Sequence, residues 1–588
     1  MMTRHEFDLL NAIRKSGRDT TRRLAEALSL SVGYISEKMR AFDAQGLIDA
    51  NGLTPAGLEA LAPYKVKNAL IMAAGMSSRF VPLSLEKPKG LLVVKNEVLI
   101  ERQIEQLQEA GIHDIVIVLG YKKESFFYLE DKYKGLTILI NPSFHLKNNI
   151  ETLYLAQQYI GNTYICSSDD YFTENPFTDY VYQSFYAAQH VTEKSQEWYM
   201  ISDKKGNITK VQRSGEEGDI MLGHVYWDTD FSREFLKLIN LHHDLGDYDE
   251  ELWEALFADN IAKLPPMAVK VYPNGTIYEF DSLEELRQFD NYYVKDTHSK
   301  IMRNICRILG CREEDVNGFR AIKEGLTNTS FVFEVGGKKY VYRHPGDGTD
   351  AIISRKNEKR SLELGKAIGA DPTYIYMDEE QGWKISAFVE NIRIPDYNSF
   401  EDSKRVLAVL RNLHEKNLSV DWCFRPWEDA CDIEKLLREK GEIAVRDFDE
   451  LKEKVGKCYA SVQGDGVTMR FCHCDTYAPN WMLTEDQTIL IDWEYAGNAD
   501  PGCDISCYIM DAMWEVDVAT EFVKEYCRDT YNETLQFHYL AYVAIVSYYW
   551  FVWALYREAC GGVMGESLHN WYVMAKRYSD YLCKTFRL

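Results

Sequence analysis

The residues best suited to chemistry lie in the last quarter of the chain. His473, Asp475 and Asn480 follow the spacing H-x-D-x-x-x-x-N, and Asp492 comes twelve residues after Asn480. This arrangement supplies a carboxylate beside an attacking hydroxyl group and oxygen ligands for a metal ion, which are the groups that phosphoryl transfer requires. The spacing therefore predicts a phosphotransferase site, in which His473 braces the loop rather than reacts.

A second candidate site lies in the first third of the chain, where an apolar strand gives way to a loop of small residues. The loop consists of Ala73, Ala74, Gly75, Met76, Ser77 and Ser78. Backbone N–H groups in such a loop can face a triphosphate, while Arg79 and Lys89 supply positive charge as pyrophosphate departs. We expect a helix to begin directly after this loop. The motif predicts transfer of a nucleotidyl group.

Residues 66–290 resemble the nucleoside-triphosphate transferase family, and within it the bacterial phosphocholine cytidylyltransferases. The matching strings are the loop itself, Asn148-Asn149, YICSSDDY at 164–171, Glu197-Trp198, GHVYWD at 223–228 and YEFDS at 278–282. The resemblance implies that Asp169 and Asp281 hold a Mg²⁺ ion between CTP and the incoming phosphate group. Ser167 departs from the family, whose members usually carry an acid there, and Glu97-Val98 replaces the commoner Lys-Pro.

Three tryptophans of this segment are candidates for an aromatic box around a quaternary ammonium group. They are Trp198, Trp227 and Trp253. Indole faces attract such cations better than other rings do. Packing in the core is the alternative for each of them, because tryptophans in α/β domains commonly lie inside.

Residues 300–588 resemble the choline and ethanolamine kinases, which are relatives of the aminoglycoside phosphotransferases, through HCDTYAPN at 473–480 and IDWEY at 491–495. The resemblance implies that Asp475 is the catalytic base and that Asn480 and Asp492 bind Mg²⁺. It also implies that Arg343 reaches the ATP phosphates, with Glu358 as its partner on a helix. A glycine turn upstream, with Gly325, Thr327 and Asn328, is the expected nucleotide loop of a small kinase N-lobe.

The acceptor of the phosphoryl group is indicated by an apolar segment near the C-terminus. Trp550 and Trp553 lie three residues apart, so a helix presents both indoles on one face, and the same spacing lines the choline pocket of the kinase family that the segment resembles. Glu494 and Tyr495 would add negative charge and a further ring. Core packing is again the alternative for both tryptophans. The segment 537–556 has the length of a membrane span, but its many tyrosines favour a buried helix.

Elements that position these residues follow from the hydrophobic pattern. Residues 1–65 read as three short amphipathic helices and a turn-rich hairpin, which resembles a winged helix-turn-helix domain with its recognition helix at 31–40. Apolar runs at 67–73 and 114–119, with a helical period at 99–110 between them, predict a parallel sheet covered by helices. A polar stretch near 290–298 is the expected linker to the third segment.

The predicted fold is therefore multidomain, α/β and α+β. It comprises a winged helix domain (1–65), a Rossmann-like nucleotidyltransferase domain (66–294) and a bilobal protein-kinase-like domain (295–588). Contact with DNA through Arg18, Arg22, Arg23, Lys38 and Arg40 is one interpretation of the first domain, and packing or dimerisation is the other.

Composition limits the remaining classes of function. The chain has 588 residues, 67 Lys and Arg against 91 Asp and Glu, and a net charge of -24, which disfavours broad binding to nucleic acid or anionic membrane. Its 13 cysteines include no CxxC pair, and the first residues do not read as a signal peptide, so we expect reduced thiols in a cytoplasm.

Together these patterns predict a bifunctional enzyme that phosphorylates choline with ATP and converts phosphocholine and CTP to CDP-choline and pyrophosphate, with Mg²⁺ as cofactor. Ethanolamine is the alternative substrate of both reactions. A transcriptional regulator that uses the two enzyme-like domains as sensors is the alternative from another class.

Overall fold

The computed structural model describes residues 2–195, 197–322, 328–345 and 354–588. The chain forms two compact units, Met1–Ala321 and Ile322–Leu588. Both predicted domain boundaries, after residues 65 and 294, fall inside the first unit. Glu86 ties the residues beyond 294 to this unit, because its carboxylate accepts a hydrogen bond of 2.8 Å from the backbone of Lys300. The division into three domains stays a prediction.

The first 65 residues contain the three predicted helices and the predicted hairpin. The elements are α1 (Arg4–Ser16), α2 (Thr21–Ala27), α3 (Val32–Ala44), β1 (Ile48–Asp49), β2 (Gly52–Leu53) and α4 (Pro55–Leu61). Each of the four helices has a hydroxyl residue as its N-cap, and that hydroxyl group accepts a hydrogen bond from a backbone N–H in the first turn. The four N-caps are Thr3, Thr20, Ser31 and Thr54. The Thr54-Pro55 pair, which lies in the region of the predicted hairpin, begins α4, because proline is well suited to the first helical position.

These elements pack on a segment of the same unit. Phe7 of α1, Tyr64 and Tyr182 form an aromatic cluster whose ring centroids lie 5.0–5.6 Å apart. Arg14 donates to Asp179 over 2.7 Å and lies over the ring of Tyr180. The N-terminal helices therefore pack on residues 179–182 through an aromatic seam, which consists of Phe7, Tyr64 and Tyr182.

The rest of the first unit is built on a nine-stranded sheet. Its elements are β3 (Asn68–Ala73), α5 (Leu83–Glu86), β4 (Val93–Val94), β5 (Glu97–Val98), α6 (Leu99–Glu109), β6 (Ile115–Leu119), α7 (Tyr128–Lys132), β7 (Leu136–Ile140), α8 (Asn149–Ala156), β8 (Thr163–Ser167), β9 (Asp170–Phe172), β10 (Phe185–Val191), β11 (Tyr199–Ser202), β12 (Ile208–Gln212), β13 (Gly218–Trp227), α9 (Thr229–Leu245), α10 (Trp253–Asn260), β14 (Ala268–Tyr272), β15 (Ile277–Glu279), α11 (Leu283–Phe289), α12 (Tyr292–Lys295) and α13 (Lys300–Leu309). The strand β16 (Val316–Ile322) spans the division between the units.

The strand order of this sheet is β12-β11-β13-β8-β3-β6-β7, with β10 between β13 and β14. The strands β8, β3, β6 and β7 are parallel, as predicted. The sheet as a whole is mixed, because β13 runs antiparallel to both β8 and β10. Every residue of β6 is buried, which is typical of a central strand covered on both faces. The carboxyl ends of β3 and β8 therefore lie side by side.

The second unit has a small sheet and a helical part. Its elements are β17 (Asn328–Val335), β18 (Lys338–Pro345), α14 (Arg355–Ala367), β19 (Tyr374–Met377), β20 (Lys384–Ala387), α15 (Phe400–Glu415), α16 (Pro426–Lys440), α17 (Phe448–Val462), β21 (Arg470–Cys472), β22 (Trp481–Leu483), β23 (Thr488–Leu490), β24 (Gly497–Ala499), α18 (Gly502–Asp511), α19 (Val516–Cys527), α20 (Glu533–Ala559) and α21 (Glu566–Phe586). The antiparallel order β17-β18-β20-β19 forms the small sheet.

The core of this unit is organised by α20, which contains the apolar segment 537–556. The helix is long and apolar enough to cross a membrane, yet 89% of its most apolar window is buried within the unit. Helices α16, α17, α18 and α21 pack around it. A helix that is apolar on all sides and enclosed by other helices is typical of a protein core. This burial supports the interpretation of the segment as a buried helix.

Candidate active sites

The predicted phosphate loop lies at the carboxyl end of β3. Ala73 ends the strand, and Ala74, Gly75, Met76 and Ser77 lead into a short 3-10 turn that begins at Ser78. Ser77 adopts a left-handed backbone with a φ of 51°, a strained conformation that is common at functional sites. The helix expected directly after the loop is replaced by this 3-10 turn, and the four-residue helix α5 begins later, at Leu83.

Four of the predicted residues form one group of ion pairs, in which Lys89 lies at the centre. Its ammonium group, only 6% exposed, lies 2.5 Å from Asp169 and 3.5 Å from Asp281. Arg79 in turn contacts Asp281 at 2.9 Å and is otherwise exposed. Burial alone would lower the pKa of Lys89, but the charges of Asp169, Glu279 and Asp281 raise it. Lys89 therefore stays charged at the point where the two carboxylates meet.

Two further carboxylates lie beside this group. Asp170 is 1% exposed, and neither of its side-chain oxygens has a hydrogen-bond partner. Glu279, which sequence reasoning missed, pairs with Asp170 across β15 and β9. Desolvation in the cleft and the charge of Asp169 raise the pKa of Glu279. The group thus contains four carboxyl groups and two cationic side chains, and such a set of oxygen donors suits a cation-binding site.

The three predicted box tryptophans differ in their surroundings. Trp198 is half-buried, and the guanidinium group of Arg213 lies 5.0 Å from its ring centroid. Trp227 and Trp253 are 0% and 1% exposed and pack edge to face against each other in the core. The structure corrects the prediction for these two residues, because neither indole leaves a face open to a ligand.

The second unit brings Asp475 and Asn480 into direct contact. The Asn480 amide donates to the backbone carbonyl of Asp475 over 2.8 Å and to its carboxylate over 2.9 Å. Burial and the charge of Asp492 raise the pKa of Asp475 to about 8. A carboxylate with a raised pKa near neutrality is suited to accept a proton from a substrate hydroxyl group.

Arg343 links the small sheet to Asp492. It pairs with Glu358, the predicted helix partner, and contacts Asp492 at 2.9 Å. Lys384, which sequence reasoning missed, lies 3.3 Å from the same carboxylate oxygen. Burial alone would raise the pKa of Asp492, but the charges of Lys384 and Arg343 lower it to about 2. Oxygens of Glu358, Asp492 and Glu494 lie within 4.8 Å of one another, which is a spacing that suits a metal ion.

Asp504 of α18 braces the loop that carries Asp475. The Asp504 carboxylate accepts hydrogen bonds from the backbone N–H groups of His473 (3.0 Å) and Cys474 (2.6 Å), and it contacts the ring of His414 at 2.9 Å. His473 itself bonds the Ile491 carbonyl at 2.9 Å. The structure thus confirms that His473 braces the loop, and it adds Asp504, which lies too far along the chain for the motif to reveal.

An aromatic cluster forms where α20 meets α21. Trp550 and Trp553 lie edge to face at 5.4 Å, and Tyr495 contacts Trp550 at 5.2 Å. Trp571 of α21 completes the cluster at 5.7 Å from Trp550, and only its residue type could have indicated it. Burial and the charge of Asp492 raise the pKa of nearby Glu494. The rings and the carboxylate together form surroundings suited to an organic cation.

Two groups of predicted residues remain without a structural test. Gly325 and Thr327 lie outside the described residues, and Asn328 is described only as the first residue of β17. Of the cations predicted to contact DNA, Arg18 is bound to Asp43 and Lys38 to Glu6, while Arg22, Arg23 and Arg40 are exposed. DNA contact stays a prediction.

Comparison with known proteins finds relatives of both parts of the chain. Residues 68–198 match the Nucleotidyl transferase family model, and residues 318–539 match the Phosphotransferase enzyme family model. A choline-phosphate cytidylyltransferase of Streptococcus pneumoniae is 31% identical over 222 residues, which cover 38% of this chain and 96% of that protein. The chain belongs to the cytidylyltransferase family. It is a fusion, because its C-terminal part matches the phosphotransferase family.

Two further relatives extend this assignment. A 2-aminoethylphosphonate cytidylyltransferase of Lancefieldella rimae is 30% identical over 230 residues, 39% of this chain and 93% of that protein. Protein LicA of Haemophilus influenzae is 24% identical over 256 residues, 41% of this chain and 94% of that protein. The group around Lys89 lies in the cytidylyltransferase domain, and the group around Asp475 lies in the phosphotransferase domain.

Proposed function

We propose that the chain makes CDP-choline in two steps. The phosphotransferase domain phosphorylates choline with ATP, and the cytidylyltransferase domain joins phosphocholine to CTP with release of pyrophosphate. The observation that carries this proposal is the presence of two complete charged groups in one chain, around Lys89 and around Asp475. A relative of the cytidylyltransferase domain acts on choline phosphate, which is the product that the phosphotransferase domain would make from choline.

In the phosphotransferase domain, Asp475 accepts the proton of the choline hydroxyl group as its oxygen bonds to the γ-phosphorus and the bond to ADP breaks. Asn480 holds the Asp475 carboxylate in place for this transfer. Arg343, fixed by Glu358, would contact the ATP phosphates. The aromatic cluster of Trp550, Trp553, Tyr495 and Trp571 would hold the trimethylammonium group by cation–π attraction.

In the cytidylyltransferase domain, a phosphate oxygen of phosphocholine bonds to the α-phosphorus of CTP as the bond to pyrophosphate breaks. Two anions must approach each other, so positive charge is needed at the reacting groups. Lys89 supplies fixed charge there, and Arg79, whose mostly exposed guanidinium group pairs with Asp281, would contact the departing pyrophosphate.

The side chains at both sites fit Mg²⁺. Their donors are carboxylate and amide oxygens, which are the ligands that this ion prefers. Asp169 and Asp281 would hold it in one domain, where buried Asp170, whose side-chain oxygens have no hydrogen-bond partner, offers a further ligand. Asn480 and Asp492 would hold it in the other. The bound ion would neutralise charge on the phosphates.

The test is direct. Purified chain with ATP, CTP, Mg²⁺ and choline should yield CDP-choline, measured by mass spectrometry. Asp475→Ala should abolish product from choline yet retain product from added phosphocholine, whereas Lys89→Met should let phosphocholine accumulate. The exposed variants Asp486→Ala and Lys134→Met are matched controls. Absence of turnover with all substrates would favour the sensor alternative.

A second substrate class is favoured by one relative, which acts on 2-aminoethylphosphonate. A primary ammonium group on ethanolamine, phosphoethanolamine or 2-aminoethylphosphonate would then replace the quaternary one. A panel that compares these compounds with choline and phosphocholine, each with its nucleotide, separates the two proposals by kcat/KM.

We further propose that the reaction takes place in the cytoplasm, where ATP and CTP are available. All thirteen cysteines are free thiols, which suits a reducing compartment.

A further inference from the structure

A glutamine lies on the buried face of α6, where the apolar pattern of the helix favours a hydrophobic side chain. Gln103 is 0% exposed, and its neighbours on this face are Ile100, Ile104 and Leu107. The oxygen of its side-chain amide is buried without a hydrogen-bond partner. Enclosing a polar group in this way costs free energy, so packing alone does not explain the residue.

The Gln103 amide holds both ends of the turn that carries Asp169. Strand β8 ends at Ser167 and β9 begins at Asp170, so Ser168 and Asp169 connect the two strands. The Gln103 Nε2 group donates to the carbonyl oxygen of Ser167 over 2.6 Å and to that of Asp170 over 3.3 Å. One side chain therefore fixes the backbone directly before and directly after this connection.

The same turn packs closely against the residue that follows Lys89. A Cβ atom on Gly90 would lie 3.0 Å from the Ser168 side chain and 3.2 Å from its carbonyl oxygen, so glycine suits this close approach. Asp169 itself lies 2.5 Å from the Lys89 ammonium group. A shift of the turn would therefore change the distance between these two charged groups.

A second glutamine of α6 provides a comparison within the same helix. Gln106 is also buried, at 8% exposure, and its amide oxygen also has no hydrogen-bond partner. Its amide donates over 3.3 Å to the carbonyl oxygen of Phe172, which also accepts from Arg102 over 2.9 Å. Gln106 thus holds the far end of β9, whereas Gln103 holds the turn that carries Asp169.

We propose that Gln103 is a positioning residue for cytidylyl transfer, which holds the backbone on both sides of Asp169 so that this carboxylate meets the magnesium ion in a fixed geometry. This role rests on the proposed function, because it requires that Asp169 binds the ion in the CTP complex. Gln103 acts through the turn and not by contact with the reacting groups. Side chains that orient a metal ligand in this way commonly contribute about 10- to 100-fold to metal affinity or activity.

The experiment compares Gln103→Met with Gln106→Met, because methionine is similar in length to glutamine and donates no hydrogen bond. Cytidylyl transfer from phosphocholine is measured against Mg²⁺ concentration. In Gln103→Met the half-saturating Mg²⁺ concentration should rise about 10- to 100-fold, and excess Mg²⁺ should restore kcat. In Gln106→Met it should keep the wild-type value, and choline phosphorylation should be unchanged in both variants.

Hydrogen exchange gives a second measurement that does not depend on turnover. With CTP and without phosphocholine, Mg²⁺ should slow the exchange of the peptide that contains residues 167–170 in the wild-type protein. The Mg²⁺ concentration that gives half of this protection should also rise about 10- to 100-fold in Gln103→Met. Because the peptide lies in the cytidylyltransferase domain, it does not report on magnesium bound by the phosphotransferase domain.

An unchanged Mg²⁺ dependence in Gln103→Met, or an equal change in both variants, would overturn the proposal. A loss of activity that excess Mg²⁺ does not restore would also do so, because it indicates a folding defect. If Gln103→Met does not fold, Gln103→Asn replaces it, since its amide is one methylene shorter and should lose at least one of the two hydrogen bonds. A wild-type Mg²⁺ dependence in that variant contradicts the role. Failure of the proposed function gives a different result, since the wild-type protein would then form no cytidylyl product from phosphocholine.

Discussion

Replacement of Asp504 by alanine should loosen the loop that carries the catalytic aspartate of the phosphotransferase domain. Asp504 is fully buried and accepts the backbone N–H groups of His473 and Cys474. Cys474 has a left-handed backbone with a φ of 67°, which a non-glycine residue adopts at a cost of about 1–3 kcal/mol. The carboxylate therefore holds a strained turn immediately before Asp475.

The magnitude follows from the two donors that lose their acceptor. Each buried N–H group left unpaired costs about 1–3 kcal/mol, so Asp504→Ala should destabilise the loop by about 2–6 kcal/mol. This is a large fraction of the roughly 5–15 kcal/mol that keeps a typical domain folded. Asp504→Asn keeps one acceptor oxygen and should lose about half as much.

The assay must report on this unit alone, because a chain with two compact units does not unfold in a single two-state transition. Amide hydrogen exchange of the peptide that contains residues 473–475 gives the local opening free energy. Choline phosphorylation should fall in the order wild type, Asn, Ala, while cytidylyl transfer from added phosphocholine stays constant. Unchanged exchange in Asp504→Ala would refute this account of the loop.

Three further variants of the phosphotransferase domain test its other contacts. Lys384→Met should lower kcat/KM for choline phosphorylation by about 10- to 100-fold, because Asp492 loses one charged contact of about 1.5–3 kcal/mol. Trp571→Ala should raise KM for choline about 2- to 30-fold and leave KM for ATP unchanged, as expected for one cation–π contact. His538 lies between two carboxylates that raise its pKa above the usual 6.5 against the effect of burial, so its stabilising contribution is complete below pH 6.5 and is lost as pH rises through the folded pKa. His538→Gln should remove this decline in unfolding free energy.

A different result for each variant would contradict its prediction. Full activity in Lys384→Met would mean that Arg343 alone holds Asp492. An equal rise of KM for ATP and choline in Trp571→Ala would indicate a packing defect instead of a lost choline contact. A pH dependence that persists in His538→Gln would assign it to other groups.

The motifs predicted most of both sites because each lies within a continuous string at the end of a strand. The group of Lys89, Asp169 and Asp281 and the pair of Asp475 and Asn480 come together as expected. Asp504 could not be predicted, because it reaches the loop from a helix that begins twenty-two residues after Asn480.

The errors have physical reasons as well. Trp227 and Trp253 were candidates for ligand contact because indole suits a cation, but residue type does not reveal burial, and both rings fill the core, which was the alternative. Lys384 could not be predicted, because a lysine in a short strand is usually a surface residue. Only the fold places it beside Asp492. The additional helix α4 begins at a Thr-Pro pair, and such pairs also begin many turns.

The aromatic seam of Phe7, Tyr64 and Tyr182 determines how the N-terminal segment should be studied. Deletion of residues 1–65 would remove the side chains that pack on Tyr180 and Tyr182. It would also remove the arginine that pairs with Asp179. Newly exposed aromatic surface promotes aggregation, so a shortened chain that precipitates would say nothing about regulation. Substitutions of the exposed Arg22, Arg23 and Arg40 keep this seam intact and are the informative way to ask what the segment does.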